Sequence, residues 1–337
     1  MENFQFNEKE KDTNEGDSAI KRIEKNLGDV GIVNKLVSLP NTDFQSLFLE
    51  IMEEKSNSLT ISDLKRNQEI NLFLKSSEIS QREFIKLDAL AYNLLPDEYE
   101  GIELSPLAPF GTNKLLAEIN QKSVLSTNRN SEVIADPTTS LALQCAQRRI
   151  EKLNKNQKNS ETVSLATSQR VSRQNQLKKT VRSQHFRTFT IMSAGRDIGF
   201  ENFEKYQFKN QMSFFLTLLN TLNEIGEYRI EGIKVEFSNA SDKPELLEIL
   251  ETTLLTELKK IFPEVDFSLD IARKSNYYSS VYYRTTAENK SGERFTLIGG
   301  GMTDWTQKLV GSKKERLLFG SLGSEVLCKK FKIHEAL

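Results

Sequence analysis

The chain has 337 residues, which is enough to bury a sizeable core in one large domain or in two. Its 46 lysine and arginine residues nearly balance 47 acidic residues, and the net charge of −1 excludes a global attraction to nucleic acid or to an acidic membrane. No apolar run approaches the ~20 residues of a membrane span, and the first residues lack the apolar core of a signal peptide, so we expect a soluble, cytoplasmic protein.

The N-terminal part is predicted to be helical after a disordered tail. Charged and polar residues dominate residues 1–17, which favours disorder. In residues 18–95 apolar side chains recur every three or four positions, as in amphipathic helices. Ser80 and Glu83 are spaced as in a capping box, and Pro96 predicts the end of the last helix. This region carries no cluster of reactive side chains, which favours packing or partner docking.

The following region is predicted to contain short strands and a helix. One strand is expected over residues 100–105 and another over residues 123–126. A helix is expected over residues 136–149. Asp136 and Pro137 are typical of its start, because an aspartate there accepts hydrogen bonds from free backbone N–H groups and a proline fits the first turn. On this interpretation Asp136 has a structural role, and ligand binding is the alternative.

Residues 147–190 form the most basic stretch, with eleven lysine and arginine residues against two glutamates. Such local charge suits phosphate-bearing ligands, including RNA, and solvated side chains are the alternative. Two strands are predicted inside this stretch, around residues 169–173 and 185–189, with a polar loop between them. Two amphipathic helices and one strand follow, at residues 203–225, 244–262 and 230–237.

The C-terminal part is predicted to be rich in strands. Alternating apolar and polar residues predict three strands of an antiparallel meander, at residues 267–271, 278–286 and 294–298. Gly299, Gly300 and Gly301 follow and permit close approach of a ligand or of another strand. A short helix capped by Thr303, a strand over residues 316–319 and a last helix complete the region.

The cysteines and histidines show no metal-binding pattern. Cys145 and Cys328 are the only cysteines, and they are predicted to be buried free thiols, with a disulfide as the alternative. His185 lies in the basic stretch, where a structural or RNA-facing role is expected, and His334 lies in the C-terminal tail. No Ser–His–acid pattern is visible, so the sequence favours neither a hydrolase nor a metalloenzyme.

Several segments resemble the catalytic core of histidyl-tRNA synthetase, a class II aminoacyl-tRNA synthetase. The resemblance covers roughly the last two thirds of the chain and rests on residues 271–278 (IARKSNYY), residues 299–305 (GGGMTDW) and residues 323–326 (GSEV). These occupy the places of the family's LVRGLDYY, GGRYDGL and motif 3 segments. The resemblance implies an α+β fold with a mostly antiparallel sheet flanked by helices, in which residues 96–337 form the core. It also implies a homodimer built around residues 102–116.

The resemblance implies ten ligand-contacting residues, namely Asp136, Thr138, Arg170, Arg173, Arg273, Tyr277, Tyr278, Gly299, Gly300 and Gly301. Asp136 and Thr138 correspond to the groups that hold the substrate ammonium. Arg170 corresponds to the motif 2 arginine that binds the α-phosphate of ATP, a task that suits the planar fork of a guanidinium. Arg273 corresponds to the arginine that touches both the phosphate and the amino-acid carboxylate, and a surface ion pair is the alternative.

Three positions depart from the family pattern. The glutamine and glutamate that recognise histidine fall on Ile191 and Gly195, and the motif 3 arginine for the γ-phosphate falls on Val326. The resemblance therefore implies a paralogue that no longer histidylates tRNA: a ligand-binding or regulatory protein acting with a protein partner, as the regulatory subunit of ATP phosphoribosyltransferase does. The alternatives are an ATP-dependent amino-acid-activating enzyme or ligase, with ATP and Mg²⁺ as cofactors, and an RNA-binding module using residues 147–190.

Overall fold

The computed structural model describes residues 14–174, 184–240, 245–270, 275 and 277–333. Within them the α-helices are α1 (Asn14–Leu27), α2 (Ile32–Val37), α3 (Asn41–Asn57), α4 (Ile61–Ile70), α5 (Gln81–Leu94), α6 (Thr112–Ala117), α7 (Pro137–Lys155), α8 (Asn202–Glu224), α9 (Glu245–Leu250), α10 (Thr256–Ile261), α11 (Trp305–Val310) and α12 (Ser324–Lys330). The strands are β1 (Tyr99–Gly101), β2 (Leu107–Pro109), β3 (Ser131–Val133), β4 (Val163–Ser172), β5 (His185–Arg196), β6 (Glu231–Asn239), β7 (Asp266–Asp270), β8 (Val281–Glu288), β9 (Arg294–Thr303) and β10 (Glu315–Leu322). None of these helices combines the length and apolar composition that a bilayer crossing requires.

Eight of these strands form one sheet, in the order β1-β4-β5-β10-β9-β8-β6-β7. The five inner pairs, from β4-β5 to β8-β6, are antiparallel, and the two outer pairs, β1-β4 and β6-β7, are parallel. β2 and β3 form a separate two-stranded sheet. The arrangement confirms the expected α+β fold with a mostly antiparallel sheet flanked by helices.

One part of the predicted meander is wrong. β8 and β9 form the expected antiparallel hairpin, and β10 pairs with β9. β7, however, pairs in parallel with β6, which separates it from β8. A parallel pair needs a crossover connection. The helical segment of α9, a π turn (Glu251–Leu255) and α10 fills this connection and buries Leu250, Leu254 and Leu258 in the core. Alternation identified the strands but carried no information on their partners.

Some element boundaries also differ from the prediction. Residues 123–126 do not form a strand, because a 3₁₀ turn ends at Ser123 and β3 lies further along the chain. Gly299–Gly301 lie inside β9, Thr303 ends that strand, and Asp304 is the N-cap residue of α11. Pairing with β8 and β10 on either side holds the glycines in the sheet despite their low strand propensity.

Side chains cap the starts of α4 and α5 but not those of α2 and α3, and the capping box predicted at Ser80 is not formed. Ser80 is the N-cap of α5 and accepts a hydrogen bond from the Arg82 backbone N–H. A reciprocal capping box occurs one helix earlier, between Thr60 and Asp63 at the start of α4. α5 ends two residues before Pro96, as expected from the restriction that proline places on the preceding residue.

One face of the sheet, which we call the α8 face, is covered by α5, α8 and α12. These helices and the strands share one hydrophobic cluster, in which the helices contribute residues including Phe84, Phe208, Phe215, Leu219 and Leu327. The aromatic stripe of α8 is therefore core, as its helical spacing predicts.

The opposite face, which we call the α7 face, is partly covered by α7 and α11. Leu141 and Cys145 of α7 and Trp305 of α11 pack there against Met192 and Phe319. A fully buried ion pair also fixes α7 to β10. Arg149 Nε donates to Glu315 Oε2 at 2.8 Å, and Arg149 Nη2 donates to Glu315 Oε1 at 3.0 Å. Because both groups are desolvated, removing either partner alone would leave a costly uncompensated charge.

Helices α1–α4 lie outside this core. None of residues 19–83 is buried, whereas α5 contributes Phe84, Leu87 and Ala91 to the core. α1 begins at Asn14, inside the stretch predicted to be a disordered tail, and residues 1–13 lie outside the described residues. The region predicted as one helical unit thus divides between exposed helices and one packed helix.

The segment after α4 connects the N-terminal helices to the core through polar contacts. The Gln184 backbone N–H donates to the Leu72 carbonyl oxygen at 3.1 Å, next to the start of β5. Ser77 Oγ donates to Glu325 Oε1 of α12 at 2.6 Å. The N-terminal helices are therefore attached close to the end of the β4–β5 hairpin.

Candidate functional site

The two faces of the sheet differ because successive side chains along a strand point to opposite faces. On the α8 face the register aligns aromatic and apolar residues with glycines in what we call the apolar row: Ala166, Ile191, Gly320, Gly300, Tyr283, Phe237 and Leu269. At the neighbouring position of each strand, on the α7 face, polar residues and one glycine form what we call the polar row: Thr167, Thr190, Ser321, Gly299, Arg284, Glu236 and Ser268.

The polar row is only partly satisfied by its own hydrogen bonds. Thr190 Oγ1 and Ser321 Oγ lie 2.7 Å apart, and Arg284 Nη2 donates to Glu236 Oε1 at 3.0 Å. Among the described residues, Thr167 Oγ1 and Arg284 Nε are buried without a hydrogen-bond partner. Buried polar groups nearly always have one, so these two atoms indicate a place for water or for a polar ligand.

The three consecutive glycines have different roles. A Cβ atom on Gly300 would lie 2.2 Å from the Phe319 carbonyl oxygen, and one on Gly301 would lie 2.5 Å from Cβ of Tyr282. Both positions therefore need glycine for packing within the sheet. A Cβ atom on Gly299 would meet no described atom within 4 Å. The described residues therefore leave room for a side chain above Gly299, next to Ser321 and Arg284 of the polar row.

Four of the predicted site residues come together at the start of α7. Asp136 caps this helix: its Oδ1 accepts hydrogen bonds from Thr138 N at 3.0 Å and from Thr138 Oγ1 at 2.7 Å. Tyr277 Oη and Thr138 Oγ1 lie 3.3 Å apart, and Arg173 Nη1 lies 3.8 Å from Asp136 Oδ2. Burial, and then the negative charge of Asp136, raise the pKa of Tyr277 and of Tyr278. Both phenols therefore stay neutral at physiological pH.

Tyr277 and Tyr278 also belong to an aromatic wall next to the polar row. Their ring centroids are 4.9 Å apart, edge to face, and Tyr278 stacks on Tyr282 at 4.7 Å. Tyr277 contacts Trp305 edge-on at 5.4 Å, and Phe319 packs against both tyrosines. Such contacts fix the rings in place. The two predicted tyrosines thus form a rigid boundary of the site.

Arg170 does not join this group, because it lies on the α8 face. Its guanidinium carbon is 5.3 Å from the centre of the Phe84 ring, and its Nη1 is 3.1 Å from Glu325 Oε2 and 2.8 Å from His185 Nδ1. Strand periodicity places Arg173, three residues later, on the α7 face. The arginine that lies near Asp136 and Thr138 is therefore Arg173, the residue that follows β4.

Two of the three positions that depart from the family pattern, Ile191 and Gly195, lie in β5, and strand periodicity determines which face of the sheet each one occupies. Ile191 is part of the apolar row, and a Cβ atom on Gly195 would approach the Phe203 ring of α8. Thr190 and Ala194 face the α7 side in their place. Val326 is buried in the hydrophobic cluster of the α8 face. Residues 271–274, which include Arg273, lie outside the described residues.

The basic stretch is largely matched by nearby acidic groups. Lys178, Lys179 and Arg182 lie outside the described residues. Six of the other eight basic residues are in ion pairs, namely Arg148–Glu100, Arg149–Glu315, Lys152–Glu161, Arg170–Glu325, Arg173–Asp136 and Arg187–Asp88. Local pairing weakens the field that this part of the surface presents to phosphates.

The described part of the chain contains no group of three or more histidine, cysteine, aspartate or glutamate side chains arranged to hold a metal ion. Cys145 and Cys328 are free and buried, as predicted. Burial raises the pKa of Cys145 to about 12 and that of Cys328 to about 11. Neither thiol is a nucleophile at neutral pH, because the thiolate is the reactive form.

Sequence reasoning found the start of α7 and the paired tyrosines but missed most of the polar row, of which it named Gly299 alone. Of the residues on either side of it, Arg284 belongs to a strand that was predicted correctly, whereas Ser321 was expected at the start of the last helix and lies in β10. What was missing was the register that brings them next to each other, and no motif within a single strand encodes it.

Comparison of the structure with solved structures identifies the fold. A Bacillus halodurans protein described as an ATP phosphoribosyltransferase regulatory subunit/histidyl-tRNA synthetase is 13% identical, with a TM-score of 0.50 over 77% of this chain and 83% of that chain. Histidyl-tRNA synthetase from Nostoc sp. is 14% identical, with a TM-score of 0.50 over 76% and 72%. The RNA-binding domain of threonyl-tRNA synthetase from Cryptosporidium parvum is 8% identical, with a TM-score of 0.54 over 73% and 62%.

The fold is that of the class II aminoacyl-tRNA synthetase core. This agrees with the resemblance noted in the sequence. Sequence identities of 8–14% support a shared fold and no more than that. The chain spans less than two thirds of the threonyl-tRNA synthetase structure and 63% of a histidyl-tRNA synthetase from Staphylococcus aureus. No protein-family model and no curated protein matches the sequence. Within the class II-like core, the α7 face carries the candidate site.

Proposed function

We propose that this class II-like core binds a small polar ligand on the polar row and acts with a protein partner as a regulatory protein, without histidylating tRNA. The observation that supports this most directly is Arg284 Nε, which is buried without a hydrogen-bond partner among the described residues. Arg284 pairs with Gly299 on the adjacent strand, where a Cβ atom would meet no described atom within 4 Å. A ligand above Gly299 that accepts a hydrogen bond from Arg284 Nε would satisfy this atom.

The charges around the row restrict the ligand. Arg284 and Glu236 offer one cationic and one anionic group side by side, and Arg173 and Asp136 offer a second such pair at the start of α7. Both pairs are net neutral, so a ligand with both signs of charge, or with balanced donors and acceptors, matches them better than a polyanion does. This favours a zwitterionic or neutral polar metabolite over a free nucleotide.

Two features support the loss of tRNA histidylation. Valine cannot bind a phosphate, and the side chain of Val326 is occupied in packing. Thr190 supplies a hydroxyl to the α7 face, where the family uses an amide or carboxylate to recognise imidazole. ATP and Mg²⁺ therefore have few described ligands on this face.

Ligand-induced thermal stabilisation of the full chain tests the proposal. The panel is ATP with and without Mg²⁺, inorganic phosphate and each of the twenty amino acids. A ligand at a hundred times its dissociation constant should add ~2.7 kcal/mol to the free energy of unfolding. Arg284→Met should abolish this gain, and Arg170→Met, the matched control on the α8 face, should keep it. The ligand half of the proposal fails if Arg284→Met responds to the stabilising ligand as the parent does.

The alternative is an ATP-dependent amino-acid-activating enzyme or ligase. Its specific support is the group of Asp136, Thr138 and Arg173 at the start of α7, which keeps an acid, a hydroxyl and a guanidinium together. Pyrophosphate exchange with ATP, Mg²⁺ and each amino acid separates the two functions. Exchange above background that Arg173→Met abolishes would establish the enzyme and refute the regulatory assignment.

The proposed homodimer is supported by exposed apolar side chains around residues 102–116. Leu107, Phe110 and Leu115 are 44%, 51% and 75% exposed. Neighbouring exposed apolar side chains of this size are typical of interfaces. Light scattering should show a dimer at micromolar concentration, and Phe110→Glu combined with Leu115→Glu should convert it to a folded monomer. A parent chain that is monomeric would contradict the proposal.

A further inference from the structure

The four N-terminal helices pack only loosely within the described chain. None of the described residues between 19 and 83 is buried. Isolated helices of fewer than about 12–15 residues are marginal in water, and most helices in proteins are stabilised by packing of an apolar face. α2 and α4 have 6 and 10 residues, so packing against another surface is needed to hold this region together.

α3 presents an exposed apolar stripe. Phe44, Leu47, Phe48 and Ile51 recur at helical spacing along its 17 residues, and each is 38–43% exposed. The Phe44 and Phe48 rings stack on each other with centroids 6.2 Å apart. Spacing of this kind forms a continuous stripe along one side of the helix, as in helices that dock on a partner.

Charge is arranged along one edge of this stripe. α3 contains four acidic residues, Asp43, Glu50, Glu53 and Glu54, against one lysine, Lys55. At 3.6 residues per turn, Asp43, Glu50 and Glu54 follow the edge that adjoins Leu47. An apolar stripe with charges along its edge selects a partner helix by the sign of the charges on that helix, as the flanking positions of coiled coils do.

We propose that α3 is the docking surface for a protein partner that presents a basic amphipathic helix, an inference that rests on the partner half of the proposed function. The acidic edge repels RNA and anionic membranes, which rely on basic side chains for binding. Antiparallel pairing with a second copy is also disfavoured. In an antiparallel twofold pairing of two α3 helices the two acidic edges would face each other.

The test uses the full chain and two synthetic helical peptides that share the same leucine stripe, one flanked by lysines and the other by glutamates. Fluorescence anisotropy at low salt should show about tenfold tighter binding of the lysine peptide, because three surface charge pairs contribute a few tenths of a kcal/mol each. The variant with Asp43→Lys, Glu50→Lys and Glu54→Lys should reverse this preference. Phe44→Ala combined with Phe48→Ala should weaken both peptides at least about tenfold.

Ile85→Ala is the matched control, because Ile85 is an exposed apolar residue on the neighbouring packed helix α5. It should leave both peptide affinities unchanged. The inference is overturned if the chain binds neither peptide or binds them equally, or if the charge-reversed variant keeps the parent's preference. It is also overturned if Phe44→Ala with Phe48→Ala dissolves a dimer seen by light scattering, or if tRNA or anionic vesicles bind the parent through α3.

The ligand-site proposal and the docking-surface proposal can be refuted separately. The Phe44→Ala and Phe48→Ala variant should keep any ligand-induced thermal stabilisation of the core, because α3 contributes no buried residue. If no ligand stabilises the chain but the lysine peptide binds as described, only the ligand half of the proposed function is wrong. If a ligand stabilises the chain and neither peptide binds, only the docking inference is wrong.

Discussion

The apolar row and the polar row occupy the same seven strands and differ by a single step along each of them. Ile191 packs under the α8 face, and its neighbour Thr190 bonds to Ser321 on the α7 face. The α8 face is covered by α5, α8, α12 and the α9–α10 segment, whereas on the α7 face no described atom lies within 4 Å of a Cβ position on Gly299. The comparison shows that the environment of a side chain in this sheet depends on the parity of its residue within the strand as much as on its type.

The same parity explains why two arginines three residues apart have different roles. Arg170 holds the sheet to α5 and α12 through Phe84 and Glu325. Arg173 lies beside Asp136 on the α7 face. An alignment that matches motif residues but is wrong by one position within a strand assigns a ligand contact to a packing residue.

The largest expected effect is a difference in the free energy of unfolding between substitutions on the two faces. Phe215 of α8 is 1% exposed and lies against the Gly320 position of the apolar row. Phe215→Ala should lower the free energy of unfolding by about 3–5 kcal/mol, through lost apolar transfer and the cavity left behind. Ser321→Ala, on the polar row, should cost only about 1 kcal/mol for its hydrogen bond to Thr190. Chemical denaturation measures both, and equal losses would contradict a division between a packing face and a site face.

A second prediction concerns neighbouring glycines on the two faces. Gly300→Ala should destabilise the protein by about 1–3 kcal/mol or more, because the new methyl group would overlap the Phe319 carbonyl and the Tyr283 hydroxyl. Gly299→Ala should change stability by no more than about 0.5 kcal/mol. Thermal unfolding of the two variants under the same conditions provides the measurement. A Gly299→Ala variant as unstable as Gly300→Ala would mean that the space above Gly299 is filled.

Much of the fold followed from the sequence, for identifiable physical reasons. The strands of the β4–β5 hairpin and helices α7 and α8 have strong local signals, namely alternation, the Asp136–Pro137 start and a long apolar stripe. The pairing of β7 with β6 had no such signal, because strand partners are chosen by tertiary packing. The strand predicted at residues 123–126 was too short for alternation to be distinguished from a 3₁₀ turn.

The candidate site followed from the sequence less completely. Asp136 and Thr138 were found because capping chemistry and the family resemblance point to the same residues. The role of Gly300 was not found, because the same three glycines suit both ligand approach and close strand packing, and the deciding atoms belong to β10. Arg284 was not found, because an alternating strand does not reveal which neighbour its polar side chains will meet.

The smallest expected effect concerns the hydroxyl of Tyr277, in the aromatic wall that bounds the candidate site. Tyr277→Phe removes the hydroxyl that contacts Thr138 and should cost about 1 kcal/mol at neutral pH. Burial raises the pKa of Tyr277 well above its ordinary value of 10.0. A group whose pKa is raised on folding contributes stability below its unfolded pKa and loses it as the pH rises towards the folded pKa. The parent's advantage over Tyr277→Phe should therefore be constant from pH 7 to 9 and shrink above pH 10, where the unfolded phenol ionises and the folded one does not. Urea denaturation of both proteins across this range measures the difference, and an advantage that grows above pH 10 would show that the phenol ionises in the folded protein and is not buried in the aromatic wall.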